Sequence, residues 1–224
     1  MHAICEVVER DATTLWHMAG ASGEAERRFD PGSIDDPLCA EVLARFEAAD
    51  VAVGIWETTS DVGVAAFFCT IVDREPRSWR QLYPSSGAGC HPNRSIALLR
   101  ALTEAAQSRL TLISGSRDDQ PRAEYQTWLD ADAVERLRRE IEDAPCLRRF
   151  QDVPTFEADL FEDDLAWLLD RFRQTELGTV VAVDLTKPDI GIPVFRVVVP
   201  GLEPPHEVPG YVPGARARAR VRMV

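Results

Sequence analysis

Gly87-Ala88-Gly89-Cys90-His91-Pro92-Asn93-Arg94-Ser95-Ile96-Ala97-Leu98-Leu99-Arg100-Ala101-Leu102-Thr103-Glu104-Ala105-Ala106-Gln107-Ser108-Arg109 is the stretch from which the rest of the chain is read. Its two glycines, proline and asparagine predict a tight turn, after which Ile96, Leu99, Leu102, Ala106 and Leu110 recur at helical spacing. A buried helix is expected to start here. Arg100, Glu104 and Gln107 fall on one stripe of it at i, i+4 and i+7, flanked by Thr103, so their side chains can act together. An arginine and a glutamate four apart are ordinarily a surface ion pair contributing about 0.2–0.5 kcal/mol. Here Ala97, Leu98, Ala101, Ala105 and Ala106 leave little of the helix for solvent, and a charged stripe on a buried helix needs a partner. The Gly-x-Gly lacks the further glycine and the lysine of phosphate-cradling loops, so its expected role is close backbone packing. Cys90 and His91 are adjacent and rarely could face each other as nucleophile and base; Arg109, beside the stripe, is expected to be structural.

The opening segment carries the second charged constellation. Ile4, Val8, Ala12 and Leu15 form one apolar row of a helix, while Glu6, Glu9, Arg10 and Thr13 gather on another. No N-cap residue precedes it, which predicts a boundary cut into an element. Two carboxylates at i and i+3 followed by an arginine suit a hard cation held beside a phosphate. The same run equally describes a solvated face with local ion pairs, and spacing alone leaves both readings standing.

Between these segments, Gly20 to Pro37 reads as a loop, and Leu38 to Ala49 as a helix with Leu38, Val42, Leu43 and Phe46 inward. Val51 to Thr58 and Val62 to Val72, joined by Thr59-Ser60-Asp61, read as a hairpin whose nearly all-apolar second strand is central in a sheet. Arg74 to Ser86 is a second loop, packed down by Trp79 and Tyr83. Beyond a polar, turn-rich stretch from Ser114 to Tyr125, Asp130 to Asp143 and Asp159 to Gln174 are amphipathic surface helices, with Pro145 and Pro154 bounding their linker. Gly178 to Asp184 and Pro193 to Val199 are strands; Arg196 shares a face with Val194 and Val198, as an edge-strand charge or a site residue. The ending ARARARVRMV reads as a short amphipathic strand or a basic tail. The expected fold class is α+β: a mixed, largely antiparallel sheet packed against helices, in one domain over 1–224 with 201–224 a Pro/Arg-rich tail.

Composition narrows the function classes. At 224 residues, 45% hydrophobic and 28% charged, the chain is long enough for one sizeable core. A net charge of −12 argues against broad capture of nucleic acid or anionic lipid. No apolar run reaches the roughly 18 residues of a membrane span, and the amphipathic start is unlike a signal peptide, so a cytoplasmic protein is expected. Five cysteines, scattered and never in C-x-x-C pairs, read as buried reduced thiols rather than a disulfide or zinc framework.

Three segments, GAGCHPNRSIALLRALTEAAQSRLTLISGSRDD, HAICEVVERDATTLW and VDLTKPDIGIPVFRVVVPGLE, resemble the YcaO family, which uses ATP to activate a peptide backbone amide. The resemblance runs from Met1 to about Arg220 and covers only the later half of a family member. It implies ATP and Mg2+ as cofactors, with Glu6 and Glu9 as metal ligands and Arg10 and Arg100 on the phosphates. Glu104 would serve the metal or a polar network, Gln107 would complete the nucleotide site, and His2 stands where the family often has glutamine. No catalytic residue is assigned. It implies a peptide substrate, a nucleophile adding to the amide, and an azoline or thioamide product. The ending GYVPGARARAR resembles YcaO proteins paired with a TfuA partner, whereas many azoline-forming members end in P-x-P-x-P. The family's Ser-x-x-x-Glu and Glu-x-x-Glu motifs lie ahead of the helix that here starts the chain. The resemblance therefore leaves room for a non-catalytic portion that binds a TfuA-like protein or a separate N-terminal half. An accessory role in ribosomal-protein methylthiolation, and a homodimer, stay open.

Overall fold

Asn93 starts the longest helix: its side chain accepts hydrogen bonds from Ser95 N at 2.8 Å and Ile96 N at 3.3 Å, which caps the orphan donors of the first turn. In the computed structural model, which describes residues 1–75, 83–115, 131–175 and 177–221, that helix is α4, Arg94–Ser114, closed by Gly115 in the left-handed conformation. Ahead of it come α1 (His2–Met18), α2 (Gly20–Glu26), α3 (Pro37–Ala48), β1 (Val51–Glu57), β2 (Ala66–Asp73) and β3 (Ser85–Cys90). After it come α5 (Ala131–Asp143), α6 (Phe161–Gln174), β4 (Val181–Asp184), β5 (Phe195–Val198) and α7 (Ala215–Val221). The described strands form an antiparallel β1-β2-β3 sheet and a separate antiparallel β4-β5 pair, so the fold is α+β as expected.

The expected turn at 87–90 is instead strand β3. A Cβ on Gly87 would strike the backbone of Ala101 and Ala105, and one on Gly89 the backbone of Ala97 and Ala101. The glycines thus let α4 lie directly on the strand, the close packing that the residue type did foretell. The same contact moves the helix's buried face. Ala97, Leu98, Ala101, Leu102 and Ala105 are buried, while Ile96 and Leu110 from the expected row stand 41% and 64% exposed. Small alanines fit against a glycine strand; the bulkier row cannot approach so closely. Leu98 and Leu102 continue into a core with Phe29, Ile55, Phe67 and Phe150, where Phe29 meets Phe67 edge-on at 5.4 Å.

A second core seats α1. Ile4, Val8 and Ala12 pack against Val62, Val64, Cys90, Leu168 and Phe172, so the expected apolar row is the buried one. Elsewhere the structure amends the reading. The loop at 20–37 contains α2 and a short 3-10 turn at Pro31–Ser33, and α3 is capped by Asp36 with Leu38 59% exposed rather than inward. Cys146 is exposed; the other four thiols are buried and free. The ending forms helix α7 rather than a strand or tail, for a reason that lies in α1 (below). Trp79 and residues 116–125 lie outside the described residues. Among the described residues no helix is long and apolar enough to cross a membrane.

Candidate functional site

On α1 the residues opposite the buried row face α4 across β3. Arg100 extends from α4 and its Nη2 donates to Glu6 Oε1 at 2.6 Å, joining side chains 94 positions apart in sequence. The same nitrogen lies 3.7 Å from Glu9 Oε2, and Arg100 Nη1 is 3.1 Å from His2 Nδ1. Arg10 reaches Glu6 Oε2 at 3.8 Å from the outer side, with its own side chain 54% exposed. The two charged helical stripes therefore meet.

Three carboxylates share this place with less positive charge than they need. Glu9 is 7% exposed, and its Oε2 makes no hydrogen bond. Burial first, then the negative charges of Glu6 and Glu104, push its carboxyl up to about 7, against the pull of Arg100 and the Cys90 backbone N–H. Glu104 is raised by burial of its carboxyl and by Glu6, with the Ala88 N–H and Arg100 opposing. Arg100 loses solvation on packing but is held charged by its hydrogen bond to Glu6 and by Glu9. An unsatisfied buried carboxylate oxygen amid mutually repelling carboxylates is a donor set that fits a hard divalent cation. Among the described residues no three His, Cys, Asp or Glu side chains converge on a metal position, and Arg100 contacts both Glu6 and Glu9. The guanidinium forks of Arg10 and Arg100 suit a phosphate beside that cation.

Two openings flank the cluster. A cleft of about 440 Å³ between α1 and β5 is lined by His2, Glu6, Arg10, Arg196 and Glu203. A second, of about 730 Å³, has Glu104 and Gln107 on one wall and His17, Phe68, Ser85 and Ser86 around it. The structure thus brings Glu6, Glu9 and Arg100 into direct contact, places Arg10 at the rim and Glu104 within electrostatic reach, and leaves exposed Gln107 in the neighbouring cavity. Arg196 lines the cleft together with Arg10. His91 is structural: its Nδ1 accepts from Asn93 N at 3.0 Å and burial lowers its pKa. Arg109 is too, bonding Asp73 Oδ1 at 2.8 Å and Ile71 O at 3.2 Å.

Sequence reading missed the clasp that holds α1. Asp11, fully buried, accepts from Arg216 of α7 at 2.8 and 3.1 Å, and Arg216 also binds Asp61 at 2.6 Å. Glu203 meanwhile accepts from Gly214 N, Ala217 N and Tyr211 Oη, which folds the proline-rich stretch back and starts α7. Burial raises Asp11, and Arg216 opposes that rise. Partners 205 positions apart leave no local pattern; an aspartate interrupting the apolar side of α1 was the one available sign.

The family model described as YcaO cyclodehydratase, ATP- and Mg2+-binding, matches residues 1–203. A protein from the tfuA 3' region of Rhizobium leguminosarum bv. trifolii is 35% identical over 208 residues, 91% of this chain and 49% of that protein. A solved structure titled as a heterocyclase in complex with substrate and cofactor is 25% identical with a TM-score of 0.70, covering 90% of this chain and 26% of that one. The YcaO of Methanopyrus kandleri, solved with AMPPCP and Mg2+, shares the fold at 24% identity and a TM-score of 0.68, over 89% of this chain and 51% of that chain. The chain spans about half the length of the curated relatives it matches.

Proposed function

The chain belongs to the YcaO family, and from that premise we propose that it serves ATP-dependent activation of peptide backbone amides, leading to an azoline or a thioamide. The observation that carries this reading is the meeting of Arg100 with Glu6 at 2.6 Å beside the unsatisfied Glu9 Oε2. When bound, Mg-ATP would supply the phosphoryl group that turns the amide oxygen into a leaving group. Glu6 and Glu9 would hold the cation, and Arg10 and Arg100 would hold the phosphates. Such positioning and charge neutralisation is the main work a protein does in phosphoryl transfer. Glu104, raised by burial of its carboxyl and by Glu6, would relax towards the ordinary carboxylate range once a cation sits close by. Gln107 would bind from the adjoining cavity.

A relative encoded beside tfuA supports a TfuA-like partner, and with it the thioamide over the azoline. The peptide substrate follows from the family chemistry. A second reading, that this chain binds a partner and is not catalytic by itself, is favoured by its half-length match to its relatives. Isothermal titration of the 224-residue chain with Mg-ATP tests the first reading. Binding in the micromolar range that falls at least tenfold in Arg100→Ala is the expected result; parent-like binding by the variant overturns the assignment, and no binding by the parent favours the second reading.

A further inference from the structure

Strand β3 pairs with β2 on one side, and no described strand pairs with its other side. The ladder fixes which groups that edge presents. His91 N–H donates to Ala65 O at 3.1 Å, one step beyond Ala66↔Cys90, so Gly89, Gly87 and Ser85 likewise turn their N–H and C=O groups towards β2. Cys90, Ala88 and Ser86 turn theirs outward. Burial follows the same alternation, with Ser85, Gly87 and Gly89 buried and Ser86 and Ala88 half-buried. Two of the three outward N–H groups serve carboxylates: Cys90 N–H favours the charged form of Glu9, and Ala88 N–H that of Glu104. The third, on Ser86, has no described strand beside it, and Ser86 belongs to the wall of the 730 Å³ cavity along with its neighbours from Pro84 to Ala88. An open row of backbone donors and acceptors is a template for an added strand.

Charge says which kind of strand. Glu104 and Glu207 line the cavity, and among the described residues no Lys or Arg does; its histidine, His17, is held by Glu24 at 3.1 Å. A triphosphate is repelled by such a wall, and the cleft on the other flank of the cluster offers Arg10 and Arg196 instead. We propose that the free edge of β3 binds the peptide substrate as an added strand, with a basic side chain of the peptide answering Glu104 and Glu207. A strand bonded at Ser86 passes Ala88 two residues on and Cys90 four residues on, about 7 and 14 Å at strand spacing. It therefore leads to Glu104 and Glu9, the carboxylates that those two N–H groups serve. Main-chain hydrogen bonds supply affinity whatever the sequence, and a basic residue within about two to four positions of the activated amide supplies selection. That the peptide is a substrate rests on the proposed function; the strand addition rests on the edge and the cavity alone.

The test titrates the 224-residue chain with three hexapeptides capped at both ends: Thr-Lys-Val-Gly-Val-Thr, the same peptide with Glu in place of Lys, and the Lys peptide N-methylated at every backbone amide. Calorimetry and hydrogen exchange read the outcome. The Lys peptide should bind with a dissociation constant below about 1 mM, at least tenfold tighter than either counterpart, and slow exchange over 85–88. Ser86→Pro removes the outward N–H without touching the β2–β3 ladder and should weaken the Lys peptide at least tenfold. Ser86→Ala, which loses only the hydroxyl bond to Thr70, should bind like the parent, and Glu207→Lys should bind at least threefold more weakly. Should Ser86→Pro not fold, the methylated peptide reads the same hydrogen bonds with the protein unaltered. Equal binding of the methylated or the Glu peptide, no binding of the Lys peptide, or protection of 85–88 by Mg-ATP in place of the peptide each overturns the proposal. Peptide binding by a chain that takes up no Mg-ATP keeps the strand addition and removes the proposed function instead.

Discussion

Glu9→Gln isolates the central electrostatic claim, because glutamine keeps the shape of the side chain and removes its charge. In the parent the carboxyl rises from 4.5 to about 7, through burial, Glu6 and Glu104. A raised folded-state value means the native chain holds a proton that the unfolded chain has released between those two pH values. Stability from this group is therefore fully present below pH 4.5 and is lost as pH rises through about 7. At roughly 1.4 kcal/mol per unit, the loss is on the order of 3 kcal/mol by pH 8. Glutamine resembles the protonated carboxyl and avoids that loss; the pull of Arg100 at 3.7 Å is already contained in the value of about 7, so a net gain of about 2–3 kcal/mol at pH 8 is expected. For a chain of this size it amounts to a melting temperature about 4–12 °C higher than the parent's at pH 8, with the two converging at pH 5. Thermal unfolding at pH 5, 6, 7 and 8 measures it. Mg2+ at millimolar concentration should raise the parent's melting temperature at pH 8 and leave Glu9→Gln unmoved, since the cation is expected to use that carboxylate. A parent whose melting is flat from pH 5 to 8, or a variant no more stable at pH 8, would refute the reasoning.

Arg216→Ala strips fully buried Asp11 of its guanidinium, and a loss of about 3 kcal/mol is expected on chemical denaturation at pH 7, with faster exchange over α7; an unchanged midpoint would show that the clasp carries nothing. Gly89→Ala should cost at least about 2 kcal/mol or yield insoluble protein, because the new methyl would meet the backbone of α4. Ala88→Ser on the same strand serves as its control in the same denaturation series. In a preparation that hydrolyses ATP, Arg10→Ala should slow turnover less than Arg100→Ala does, as Arg10 sits at the exposed rim while Arg100 bridges Glu6 and Glu9. Equal rates in parent and Arg100→Ala would detach that residue from the phosphates.

The elements whose patterns repeat locally were legible. The apolar row of α1, the hairpin of β1 and β2, and the existence of α4 follow from spacings of two, three and four, because each is set by neighbours within one turn or one pleat. The charged stripes at Glu6, Glu9, Arg10 and at Arg100, Glu104 could be seen for the same reason. Spacing by itself did not bring them together: the family resemblance implied one shared site, and β3 with the packing of α1 upon it decides which stripe faces which.

What the amino-acid order determined by itself is the α+β class, the two charged helical faces and the need of glycine at 87 and 89 for a close approach. Only the tertiary structure decided that those glycines lie in a strand, that Ala97, Ala101 and Ala105 rather than Ile96 and Leu110 face inward, and that Glu9 keeps one oxygen without a hydrogen bond. It also decided that Asp11 is neutralised by an arginine 205 positions later. Periodicity reports which residues share a side of an element; which side is buried, and beside whose charge, depends on contacts between segments that sequence spacing does not encode.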